Sequence, residues 1–227
     1  MSHTGKLRSY LLGPLAMLMV IPLSGCVTST VQEIREAATG MESHESIVLL
    51  GRRALPSNAE TEYGFVSCVS KKISNGGDAI RVINESEFRD ALFPWFEPRT
   101  APANTSDLPE LIAQPNLARR LEELGLRYLV WIQGDTARTD AGGSLTCSVT
   151  TAGAGCFGFL TWENDSSYEA SVWDIRTGTS AGKISSDAVG TSYMPAVVVP
   201  LPFIARVRAS ACNNMADQLK TFLAAKG

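Results

Sequence analysis

The chain has 227 residues, 44% of them hydrophobic and 19% charged, which is comfortably one domain, or one domain plus an anchoring linker. Its 20 basic residues stand against 23 acidic ones, a formal net charge of −3, so nothing in the composition attracts nucleic acid. His3 and His44 are the only imidazoles, and CxxC, HExxH, GxSxG, P-loop and dinucleotide fingerprints are all missing, so no metal or cofactor is expected.

Lys6 and Arg8 precede an apolar run from Leu11 to Leu23, which closes on Ser24-Gly25-Cys26. A positive segment, an apolar segment and small residues are the three parts of an export signal. A spanning helix is the competing reading; it needs about 20 apolar residues, and this run carries Gly13, Pro14 and Pro22. Leu23-Ser24-Gly25-Cys26 resembles the lipobox of bacterial lipoproteins. That resemblance implies a signal peptide over residues 1–25, a diacylglyceryl group on the Cys26 thiol and a fatty acyl group on its freed amine. Two or more acyl chains anchor a protein stably. Val27 stands where such lipoproteins carry an aspartate to stay in the inner membrane, so the expected address is the outer membrane, lipid-anchored and facing the periplasm.

With the signal removed, His44 is the last imidazole, in the polar stretch Glu42 to Ser46. Residues 26–45 read as the lipidated N-terminus and a tether, with weak helical character over Val27 to Gly40. Residues 46–227 read as a single periplasmic domain. Ile47 to Leu50 is a buried strand by its unbroken apolar run. Ser57-Asn58-Ala59-Glu60 has capping-box spacing ahead of a helix with Tyr63, Val66, Val69 and Ile73 on one face, and Asn75-Gly76-Gly77 stops it. A strand is expected over Ala79 to Ile83, then a helix capped by Asn84 that carries Phe88, Ala91 and Leu92. Phe93 to Pro102 is a Pro-rich loop, followed by a short helix near Leu108 to Ala113. A further helix from Asn116 presents Leu117, Leu121 and Leu124 and ends at Gly125.

Arg127 to Ile132 is the clearest strand. Phe157 to Trp162, Tyr168 to Ile175 and Ala181 to Val189 are further strands, with Asp174-Ile175-Arg176-Thr177-Gly178 as the turn between the last two. A helix over about Ala209 to Ala225 ends the chain. The pattern predicts an α/β (α+β) fold: a mixed β-sheet with helices packed against it.

Besides Cys26 the chain has Cys68, Cys147, Cys156 and Cys212. An even number in an oxidising compartment suggests two disulfides with three possible connectivities, four free thiols being the alternative. Cys147 and Cys156 flank a Gly-rich segment and pair across a hairpin or loop; Cys68 with Cys212 then joins an early helix to a late one.

Tyr128-Leu129-Val130-Trp131-Ile132-Gln133-Gly134, then Val172-Trp173-Asp174-Ile175-Arg176-Thr177-Gly178, then Gly190 resemble the order of strands in CsgG-like and TolB-N-terminal-like envelope domains. There a strand ending in Gly precedes Val-x-Asp-x-x-Thr-Gly and a strand ending in another Gly. The resemblance implies an envelope protein, in a family that includes a channel inserting two hairpins and an activator of a peptidoglycan synthase.

Phe93, Trp95 and Phe96 form an aromatic group bounded by prolines, suited either to packing or to partner docking. Pro195 to Ile204 is the most apolar stretch outside the signal; its prolines read as a loop folded over apolar surface, with membrane contact or oligomer packing as alternatives and Arg206 and Arg208 nearby. The hairpin regions of a channel would fall at Thr136 to Glu163 and Thr191 to Arg208. A membrane-crossing strand needs about 9 to 11 alternating residues, whereas only Leu145 to Val149 reads as alternating. Glu97, Asp135, Asp140, Glu163 and Asp165 offer carboxylates to a hydrolase. The leading expectation is a non-catalytic binding or assembly factor of the cell envelope, held by lipid at Cys26 and contacting an envelope protein. An oligomeric CsgG-like secretion or channel component and a carboxylate-based hydrolase are the alternatives.

Overall fold

The computed structural model describes residues 26–52, 61–97, 100–102, 105–151 and 153–224. The lipobox residues ahead of Cys26, the capping box at 57–60, Pro98, Arg99 and Ala225 lie outside the described residues.

The unbroken apolar run at Ile47 to Leu50 becomes β2 (Ser46–Gly51), buried on both faces as a strand with parallel neighbours must be. It pairs in parallel with β3 (Val82–Ile83) and with the start of β4 (Leu126–Thr150). From β4 the sheet continues antiparallel through β5 (Gly153–Asp174), β6 (Thr179–Pro200) and β1 (Val27–Arg35), in the order β1-β6-β5-β4-β2-β3. The result is the expected mixed sheet with helices packed against it.

Each face has its own core. On one face lie α1 (Tyr63–Ile73) and α5 (Val207–Ala224), whose Phe65, Val69, Met215 and Leu219 pack on Val130, Ile132 and Ala170; Phe65 stacks on Tyr168 with ring centroids 3.5 Å apart. The other face carries α2 (Glu85–Ala91), α3 (Leu108–Ile112) and α4 (Pro115–Glu123), whose Phe88, Leu108, Leu117 and Leu121 pack on Val48, Leu50 and Leu129. Asn84 caps α2 by accepting from the Ser86 backbone N–H at 2.9 Å. Asp174 fixes the β5–β6 turn, its Oδ1 accepting from the backbone N–H of Arg176 at 2.9 Å. Both expected disulfides are present: Cys68–Cys212 joins α1 to α5, and Cys147–Cys156 joins β4 to β5.

Four expectations are corrected. The stretch read as a weakly helical tether is β1, because Val27, Thr28, Thr30, Val31 and Ile34 are β-branched and Val27 and Val31 turn inward onto the α5 side of the core. The strand expected from Ala79 shrinks to Val82–Ile83, with Ile80 bonded instead to the end of α1. The short strands expected around 157–162 and 168–175 are one strand, and β6 runs through Pro195 to Pro200, where a loop was expected. Tyr193 exchanges hydrogen bonds with Phe203 on the side of β6 away from β5, and the carbonyl of Pro195 accepts there from Leu201. Pro195 thus lacks its N–H on an outer edge, where no bond to β5 is lost.

Candidate functional site

β2 accompanies β4 only as far as Ile132, and β1 accompanies β6 only as far as Gly190. Past those points β4, β5 and β6 continue without helices as a three-stranded arm, and burial gives way to exposure. Gly134 marks the departure: its φ is +130°, and a Cβ there would lie 2.1 Å from the Ser167 carbonyl oxygen. Just inside the arm, Thr136 Oγ1 lies 2.8 Å from Ser166 Oγ and 3.0 Å from the Tyr168 hydroxyl. Burial raises the pKa of that phenol, against a smaller lowering by Thr136.

The register sorts the arm's side chains onto two faces. Gly143↔Leu160↔Met194, Leu145↔Gly158↔Ala196 and the Cys147–Cys156 pair share the face that α5 covers lower down, together with Ala141, Val149 and Trp162. Gly142, Ser144, Thr146, Ser148 and Thr150 line the opposite face along β4, next to a column of Phe157, Phe159, Tyr193 and Phe203; the last two stack with centroids 4.8 Å apart. From Ala141 to Thr150, β4 therefore alternates strictly, small or apolar on one face and hydroxyl or glycine on the other. The sequence reading missed this because glycine and alanine stand where larger apolar residues would have announced the pattern. Val149 is 85% exposed, and Phe157, Val197, Val199 and Leu201 are also exposed.

Charge is confined to the base of the arm. No Asp, Glu, Lys or Arg occurs from Ala141 to Trp162 or from Ala188 to Ala205. Asp140, Glu163 and Thr191 share one rung, Asp165 lies beside Ala137 two rungs lower, and the Arg138 guanidinium lies 5.6 Å from the Trp162 ring. Asp135 lines a depression of about 360 Å³ with Arg52, Gln133 and Glu169. Cys26 immediately precedes β1, and its thiol is free and exposed. Val27 pairs with Gly190, where a Cβ would meet the Cys26 carbonyl oxygen at 3.0 Å. The residue expected to carry lipid thus sits at the foot of the arm.

The aromatic group of the α2–α3 loop is split. Phe96 is 2% exposed and packs on Phe88, Trp95 is half-buried with its indole N–H donating to Gln114 at 2.9 Å, and Phe93 is 62% exposed. Glu97 lies apart from the arm in that loop. His44 is exposed in the turn before β2, 3.5 Å from Glu42. Among the described residues no helix is long and apolar enough to cross a membrane.

No family description and no curated protein matches this chain. Among solved structures, it is similar to a PelC dodecamer from Paraburkholderia phytofirmans, with 11% identity over 88% of this chain and 100% of that one and a TM-score of 0.37. A dodecamer of a single-substitution variant of that protein gives 12% identity, 88% and 99% coverage and a TM-score of 0.34. Likenesses of this size assign neither family nor activity.

Proposed function

We propose that this protein is a non-catalytic, lipid-anchored envelope component that works as an oligomer of the secretion or channel kind, its copies joined through their arms. The observation that carries this reading is the arm's two open edges. Among the described residues no strand pairs with the outer side of β4 beyond Ile132, and the outer side of β6 meets only the short return at Leu201 and Phe203. A long, uncharged sheet edge is a template for another chain, and soluble proteins block such edges with charge, shortness or cover. β4 of one copy and β6 of the next are different edges, so the contact is head-to-tail, and repetition with a closing rotation gives a ring. The lipobox at Cys26 supports the anchor, and Val27 after it supports the outer membrane, facing the periplasm.

The test is the mass of the mature, lipid-bearing protein in mild detergent, by sedimentation or native mass spectrometry. A single discrete assembly of several mature chains is expected; a strict monomer at all concentrations would rule the reading out.

A second reading, docking of a different envelope protein, is favoured by the exposed Phe93 ring beside Trp95. Capture of a partner that is lost in Phe93→Ala would support it.

A further inference from the structure

We infer that the arm enters a lipid bilayer with one assigned face outward and at one assigned depth: the face of Ala141, Leu145, Val149, Leu160, Trp162 and Met194 meets acyl chains, and the bilayer surface falls at the Asp140–Glu163–Thr191 rung. The inference deepens the oligomeric reading above, and its test is chosen so that the two fail separately.

Four independent features converge on that rung. The two charge-free segments, remote in sequence, are brought side by side by the register, and Asp140 and Glu163, facing each other across β4 and β5, bound the first of them at the arm's base. Burying a charge in hydrocarbon is costly, so the last charged rung is the deepest that water must reach. Directly past it stand Trp162 and Tyr193, in the first two rungs of the charge-free region, where membrane strands place aromatic girdles. Cys26 emerges beside Gly190, one rung from Thr191, so acyl chains on it would enter the membrane at that level.

The fourth feature is length. From the Asp140 rung to Thr150 is about 33 Å of strand at about 3.3 Å per residue, or about 25 Å of height at a tilt near 40°, the height of the outward apolar band of a membrane barrel. The choice of face follows from the alternation. One side of β4 is Ala, Gly, Leu, Cys and Val, and the other is Gly, Ser, Thr, Ser and Thr. The α5-side face also gains Leu160, Trp162, Met194 and Ala196 from β5 and β6, and neither face carries charge in the region. The opposite side also carries Phe157, Phe159, Tyr193 and Val197 from β5 and β6, so the choice rests on hydroxyls: Ser144, Thr146, Ser148, Thr150 and Thr161 all lie on that side, which is therefore assigned to water.

The experiment uses the mature, lipid-bearing protein in phosphatidylethanolamine–phosphatidylglycerol vesicles containing doxyl-labelled phosphatidylcholine. An environment-sensitive fluorophore is placed on single added cysteines, with both native disulfides kept oxidised. Sites are Leu160→Cys and Met194→Cys on the apolar face, Ser144→Cys and Thr161→Cys on the other, and Thr30→Cys on β1 as the aqueous reference. The expected result is quenching by doxyl lipid and severalfold protection from iodide at 160 and 194, with the reverse at 144 and 161. Iodide access at 160 and 194 equal to that at 30 would overturn the inference by placing the arm in water. Protection of 160 and 194 from both quenchers would overturn it too, by burying that face between protein copies.

Should a labelled variant not fold, the unlabelled chain gives the same answer: brominated lipid should quench its tryptophan emission, and Trp162→Phe should remove most of that quenching. If the quenching persists unchanged in Trp162→Phe, the assigned depth is wrong. The mass measurement decides the oligomer independently. A discrete ring with iodide-accessible arms sinks only the membrane assignment, and a monomer with a lipid-quenched face sinks only the oligomer.

Discussion

Arg127 begins the body's end of β4 wedged between two nearly buried carboxylates, 2.8 Å from Asp174 and 3.8 Å from Glu45, with Glu45 also reached by Arg176. Breaking such a pair leaves charge without compensation, at about 3–5 kcal/mol. Arg127→Met should therefore lower the unfolding free energy by that amount, read as a lower urea midpoint with little change in the slope. The turn chemistry of Asp174 is readable in the sequence, since an Asp before Thr-Gly accepts locally; its Arg partner, 47 residues back, is not. The aromatic loop separates likewise. Phe96→Ala should cost about 3–5 kcal/mol, because it empties a packed site, whereas Phe93→Ala should leave the melting temperature within experimental error. Tyr168 adds a pH dependence: its phenol must stay neutral to stay buried, and its folded pKa is raised above the ordinary 10.0. That contribution is whole below pH 10.0 and is lost as pH rises through the folded value. Tyr168→Phe should flatten the alkaline limb of a stability–pH curve.

At the scale of elements, reading succeeded where burial is two-sided or one-sided in a regular way. β2, α1, α2, α4 and the start of β4 announce themselves by unbroken apolar runs or helical spacing. Failure came where the environment is not a protein core. The outer part of β4 uses Gly, Ala, Ser and Thr, a low-contrast alternation whose meaning depends on which solvent each face meets. The outer part of β6 holds prolines that deny a central strand but not an outer edge. A charge at the arm's mid-height should discriminate between the faces. Leu145→Arg should reduce the membrane-integrated fraction by the equivalent of about 2–4 kcal/mol, and Thr146→Arg by much less. Flotation of vesicles after carbonate extraction measures both. Equal effects would mean that the two faces meet the same environment and would overturn the assigned face.

The whole molecule has two regimes along one sheet: a body of α, β and α layers at one end, and bare strands at the other. The disulfides divide in the same way. Cys68–Cys212 closes 144 residues and clamps α1 to α5, while Cys147–Cys156 closes 9 near the arm's tip. By loop-closure entropy their removal should cost about 5 and about 3 kcal/mol respectively. Cys68→Ser with Cys212→Ser should lower the body's melting temperature, and Cys147→Ser with Cys156→Ser should chiefly reduce correct arm assembly, read as the yield of the discrete oligomer. Class and layering were legible because they follow from pattern and period. The arm was not, because its strands pair far beyond the helix-covered body with residues of low hydrophobic contrast.

The first strand, beginning one residue after Cys26, has a mechanical meaning. A lipoprotein on a long disordered leash can search a volume above its membrane and reach a partner at a distance. A chain acylated at Cys26 has no leash: the strand is hydrogen-bonded into the sheet from Val27 onward, as rigidly as a keel fixed to a hull. For a chain so anchored, height and heading above the bilayer would be set by the fold itself, and a partner would have to come to it.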